Sequence, residues 1–153
     1  MKSIKLLILI CAATSFSQCK TIKLSKTAPF IITGATYHNW VGGQPGVSGI
    51  NLIIGVENDA KITFNKIYFQ NKIVDARIEE RKGKKYVIAN ISTSNREELI
   101  IVEEGAMKKQ KKEPEPIPFT LEPNEAVIKY MVGKKIYYYK VSKIKKRDTV
   151  FYQ

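Results

Sequence analysis

From residue 30 onward, apolar and polar residues alternate with a period of two rather than with the spacing of a helix. In "GINLIIGVE", Ile50, Leu52, Ile54 and Val56 share one face, and Asn51, Ile53, Gly55 and Glu57 the other. Such alternation marks a half-buried strand. The stretch 30–37 is β-branched and aromatic and predicts another. "ITFNKIYF" starts with Ile62 and Phe64 in phase and continues with Ile67 and Phe69 out of it, which predicts a bulge at Asn65–Lys66. A turn at "QNK" leads into "IVDARIE", where Val74, Ala76 and Ile78 oppose Asp75, Arg77 and Glu79. A turn at "KGK" (82–84) leads into "KYVIANI", and 99–102 is a short apolar strand. The pattern then breaks into "EEGAMKKQKKEPEPIP" (103–118), a charged loop whose prolines cannot donate to a sheet ladder. Regularity returns with "FTL" and "EAVIKYMV", in which Ala126, Ile128, Tyr130 and Val132 are in register. Gly133–Lys134 predicts the turn into "KIYYYKV". The tail "SKIKKRDTVFYQ" predicts a last edge strand, its lysines opposing edge-to-edge pairing.

No stretch holds a helical period for as much as about ten residues. Short strands at about ten-residue spacing predict an all-β fold, an immunoglobulin-like antiparallel β-sandwich of about seven to nine short strands, with a small β-barrel as the alternative. A chain of 153 residues holds one sizeable core. The domain is expected over 29–153, behind a polar tether at 19–28 and with the charged loop at 104–118. The cysteine pair of immunoglobulin domains is absent, so the expectation concerns architecture alone.

Residues 1–18 stand apart. Lys2 and Lys5 precede an apolar run at 4–13 and a small-residue zone "TSFSQ", the pattern of an export signal. The run is too short to span a bilayer permanently. The expected address is the periplasm, the outer membrane or the extracellular space. Two ends are open to the processed chain. Ser15 and Ser17 suit a signal peptidase that leaves Gln18 first; alternatively Cys19 is acylated, as in a lipoprotein, although Gln18 is an unusual residue before such a cysteine. Neither route leaves a pair of cysteines, so stability rests on core burial.

Charge narrows the partners. With 26 Lys and Arg against 14 Asp and Glu, the formal net charge is +12. An exported chain of that charge meets acidic glycans, phosphates and anionic headgroups rather than nucleic acid. The expected partner is an envelope protein, a glycan or an anionic lipid surface, with no nucleic acid. Membrane contact is expected through a lipid anchor if Cys19 is acylated.

The densest cluster of unusual residues is "YHNWVGGQPGVSG" (37–49), which holds the single Trp and the single His. A strand rather than a helix follows its glycines, so it is no phosphate-binding fingerprint. Pro45–Gly46 predicts a turn with positive φ. On one reading Trp40 lies buried beneath the loop as an anchor, its indole N–H bonded to backbone. On the other, Tyr37, His38 and Trp40, beside Gly42 and Gly43, line an aromatic patch suited to a sugar ring or a peptide. His38 alone cannot build a zinc site, and no G-x-S-x-G elbow offers a nucleophile. The doublets Glu79–Glu80, Glu97–Glu98 and Glu103–Glu104 point to opposite faces of their strands, unlike the paired carboxylates of a glycosidase. No catalytic residue, metal or cofactor is therefore expected. A second candidate is a basic–aromatic face of Tyr137, Tyr139, Lys140, Lys143, Lys145, Lys146 and Arg147, suited to stacking on sugars or resting at a membrane interface.

The segments "ITGATYHNWVGGQPGVSGINLII", "KIYFQNKI" and "PNEAVIKYMVGKKIYYYKV", in that order behind an export signal, resemble small uncharacterised envelope proteins of flavobacteria and their relatives. The resemblance implies a lipoprotein or secreted β-domain and no particular activity. The functional expectation is a non-enzymatic binding or structural module of the envelope or of the secreted space. The alternatives are a small hydrolase or carbohydrate-binding protein using 37–49, and a basic factor that binds anionic envelope surfaces.

Overall fold

The computed structural model describes residues 22–57, 61–93 and 116–153, and among them every regular element is a strand. β1 (Ile31–Val41) and β2 (Ser48–Glu57) form a long hairpin. β3 (Ile62–Phe69) turns through Gln70–Asn71, both at positive φ, into β4 (Lys72–Asp75). β5 (Arg77–Arg81) turns at Lys82–Gly83 into β6 (Lys84–Ser92). β7 (Ala126–Val132) and β8 (Lys135–Val141) form a third tight hairpin, and two short pieces follow, β9 (Lys145–Lys146) and β10 (Val150–Phe151).

Two sheets result. One runs β10-β1-β2-β6-β5, with β9 also on β1, and the other runs β4-β3-β7-β8. With β1, β2, β6 and β5 opposed to β4, β3, β7 and β8, the strand order is that of an immunoglobulin sandwich whose second sheet has gained one strand. The sheets do not close into a barrel.

The alternation read from the sequence becomes the core. Leu52, Ile54, Ile67, Phe69, Val87 and Ile128 are fully buried between the sheets, and among the described residues no polar residue is buried with them. Phe30 plugs one end, edge-on to Phe64, Tyr130 and Tyr139 at 5.2, 5.1 and 5.5 Å. Such ring pairs each add about 0.5–1.5 kcal/mol beyond the area they bury.

The bulge falls where the parity change predicts it, at Asn65, between Phe64 and Lys66 in the β3–β7 register. The carbonyl of Asn65 accepts the N–H of Ala76 at 2.8 Å. Ala76 is where "IVDARIE" departs from expectation. It is not one strand: 72–75 pairs with β3 in the second sheet, whereas 77–81 pairs with β6 in the first. The sequence alternation runs unbroken through the crossing, although beyond it Ile78 is half exposed rather than buried.

The stretch 37–49 also differs from its expected form. β1 continues to Val41, in unbroken antiparallel register with β2 from Gly34↔Gly55 to Val41↔Ser48. Tyr37, His38 and Trp40 are strand residues, and the loop proper is 42–47. Within it Gln44–Val47 forms the expected turn, closed by Val47 N–H to Gln44 O at 3.2 Å with Gly46 at φ +78°. The export signal, Cys19, the 99–102 strand, the doublets at 97–98 and 103–104 and most of the charged loop lie outside the described residues.

Candidate ligand-binding face

Strand parity decides which side chains of β1 and β2 reach the outside. Tyr37 is buried and its ring meets Phe69 edge-on at 5.2 Å, so it belongs to the core rather than to any patch. His38 and Trp40 then point to the outer face of the first sheet. Across β2 and β6, His38 stands opposite Asn51, which stands opposite Asn90. One row further along, Trp40 stands opposite Gly49, which stands opposite Ser92. Beyond that row the Ser48 and Thr93 hydroxyls meet at 2.9 Å.

Trp40 is half-buried on this face rather than sealed beneath the loop. Its indole lies across Gly49: a Cβ there would come within 2.6 Å of Trp40 Cε2 and Cζ2. The missing side chain on the central strand is what lets the ring lie down. The segment 150–152 completes the patch. Val150 and Phe151 pair in parallel with Trp40 and Val41, and Tyr152 N–H donates to Val41 O at 2.9 Å. The Tyr152 ring meets Trp40 edge-on at 6.2 Å. Tyr152 is 54% exposed on the Trp40 side and available to a ligand, whereas Phe151 pairs with Val41 and so points away from this face.

Gly42 and Gly43 serve close approach within the chain. Gly42 N–H donates to Val47 O at 2.8 Å. A Cβ on Gly43 would lie 2.9 Å from the carbonyl carbon of Gln153, so the 150–153 segment covers this glycine.

Two features give the face polar character. Asn90 is exposed, and Asn51 Oδ1 is buried with no hydrogen-bond partner among the described residues. The side chain opposite His38 on β2, Asn51, is an amide rather than a carboxylate. Among the described residues no group of three or more His, Cys, Asp or Glu is placed to hold a metal ion.

The second candidate face is divided by the fold. Tyr137 and Tyr139 turn inward, Tyr137 stacked on Tyr130 at 5.5 Å and Tyr139 against Phe30. Burial raises the pKa of Tyr130, partly offset by a hydrogen bond with the Ser25 side chain. Tyr138 and Lys140 take the outer side of the second sheet. Lys140 Nζ donates to Glu125 Oε1 at 2.8 Å, and that bond first, then the Glu122 N–H, holds the Glu125 carboxyl below its ordinary pKa. Tyr138 instead joins Tyr68 and Phe119, with Phe119 5.1 Å from Tyr68 and 5.6 Å from Tyr138. After Val141 the chain crosses to the other sheet, where Lys145 and Lys146 pair with Thr36 and Tyr37 and Arg147 N–H donates to Tyr37 O at 2.7 Å. Lys143, at φ 59°, is exposed on the crossing between them.

The structure puts His38 and Trp40 on one face and adds Asn51, Asn90 and Tyr152, which the sequence reading did not place there. The signal for Asn51 was its place on the polar side of "GINLIIGVE". Tyr152 offered only its presence in the tail. Compared with known families, with curated proteins and with solved structures, the chain matches none.

Proposed function

We propose that this protein is an exported, non-enzymatic binding module of the cell envelope or secreted space that holds a saccharide against the outer face of its first sheet. The observation that supports it is the patch in which the Trp40 indole packs over Gly49 with the exposed Tyr152 ring edge-on beside it. Aromatic faces take the C–H surface of a sugar ring, and the amides and imidazole one row away suit its hydroxyls. The export-signal pattern of residues 1–18 and the resemblance to flavobacterial envelope proteins support the address.

The single tryptophan makes the test direct. The protein is screened on a glycan array, and each hit is titrated while Trp40 emission is followed. A saturable change in emission is expected, lost in Tyr152→Ala, which leaves the core untouched. An array without hits, or hits unaffected by that variant, overturns the proposal.

A further inference from the structure

We propose that the β8 side of the sandwich, together with the segment that leads into β1, is a docking surface for an anionic lipid bilayer. The proposal goes beyond the saccharide face and rests on different residues.

The starting observation is a segregation of charge. Residues 20–30 include Lys23 and Lys26 and contain no Asp or Glu. Residues 134–147 include Lys134, Lys135, Lys140 and Lys143, and end in Lys145, Lys146 and Arg147, again with no acid among them. The fold sets these stretches side by side. Ser25 pairs in parallel with Tyr139, its N–H donating to Tyr138 O at 2.7 Å, so Lys23 and Lys26 flank the edge of β8. β8 is the last strand of its sheet, and the chain passes straight from it to the β1 edge of the other sheet. Both basic stretches thus occupy one lateral side. The carboxylate of Glu125 is bound by Lys140 there. On the opposite side, the acids and bases of β5 interleave, with Glu79 bridging Arg77 and Arg81, and the three lysines of its hairpin, Lys82, Lys84 and Lys85, form a smaller cluster without exposed aliphatic residues among 82–85.

Cations alone would suit any polyanion. The basic side also shows aliphatic surface, since Leu24 is 38% and Ile136 50% exposed among these lysines. Lysines draw a domain to anionic headgroups, their stems lie along the interface, and aliphatic side chains enter it. A soluble polyanion rewards only the first of these.

The test uses the processed protein carrying Cys19→Ser, so that no acyl chain contributes and every variant shares the same N-terminal residues. Sedimentation is measured with vesicles of phosphatidylcholine alone and with phosphatidylglycerol added, at low and high salt. Binding is expected to require phosphatidylglycerol and to fall steeply with salt. Each lysine at such a surface is worth about fivefold in affinity, so Lys134→Glu with Lys135→Glu should weaken binding by at least about 25-fold with the melting temperature kept. Lys145→Glu with Lys146→Glu is the second charge variant, and Leu24→Ser with Ile136→Ser should also weaken binding. Equal binding to both vesicle types, or full binding by both charge variants, overturns the proposal. So does an unaltered aliphatic variant whose vesicle binding dextran sulfate abolishes, which would identify a polyanion site. Saccharide titration of Trp40 in the same variants is expected to be unchanged, so the two surfaces can fail separately.

Discussion

A methyl group placed on Gly49 meets two neighbours at once. It would lie 2.5 Å from the Ile91 carbonyl oxygen and 2.6 Å from the Trp40 ring. The ring can slide toward solvent; the carbonyl is fixed in the β2–β6 ladder and cannot. Overpacking of this kind costs about 1–3 kcal/mol, against which alanine recovers about 0.5–1 kcal/mol of the entropy that glycine loses in a strand. Losing the indole from its seat adds to the cost, so Gly49→Ala is expected to destabilise by about 2 kcal/mol. At about 4 °C per kcal/mol for a domain of this size, the melting temperature falls by about 8 °C. Circular dichroism reads the melt, and Trp40 emission should shift to the red as the ring meets water. A double-mutant cycle divides the cost. In a Trp40→Ala background the ring's share vanishes and the carbonyl's remains, so Gly49→Ala should cost less there but not nothing. If Gly49→Ala melts at or above the parent temperature with unchanged emission, the indole does not lie on this glycine and the proposed face loses its centre.

Two further perturbations test the second sheet. Because folding lowers the pKa of Glu125, its contribution to stability is complete above the ordinary glutamate value and is lost as pH falls through the lowered one. Glu125→Gln should therefore be less stable at neutral pH and show a flatter acid melting profile across that window; identical profiles would mean that Lys140 does not hold the carboxylate. Phe119→Ala removes the half-buried ring that covers Tyr68 and Tyr138. Truncating a fully buried phenylalanine to alanine costs about 3–5 kcal/mol, so for this half-buried ring the loss should be about half that, with Tyr68 more accessible to quenchers. An unchanged melt would show that 116–121 does not cap the sheet.

The parts of the fold legible in the sequence are those set by neighbours along the chain. Period-two alternation found β2, β3, β6 and β7, the phase change between Phe64 and Ile67 found the bulge, and turn residues found the three tight hairpins. The crossing at Ala76 was invisible because a strand that changes sheets keeps its alternation. Only pairing partners change, Lys66↔Asp75 on one side and Arg77↔Ile88 on the other. The length of β1 was underread for a related reason: its last residues, "HNWV", look like loop chemistry, and what extends the strand is the continuous register with 48–51.

The functional faces depend on contacts that no local pattern carries. Residues 137–147 look like one basic–aromatic surface because they are adjacent in sequence, but adjacency on a strand alternates faces. That alternation sends Tyr137 and Tyr139 to the core, and six residues after Tyr139 the chain has changed sheets. Conversely, Trp40 and Tyr152 share a patch although more than a hundred residues separate them, because 150–151 adds in parallel to β1. Closing so long a loop is costly, and each short parallel ladder repays little of it. The buried Ile144 between β8 and β9 supplies the rest, its N–H bonded to Asn124 O at 3.1 Å and its side chain in the core cluster. Ile144 thus anchors the whole return of the chain to β1. Truncating it should loosen the β9–β10 strip, and with it the ring pair at Trp40, before the rest of the sandwich gives way.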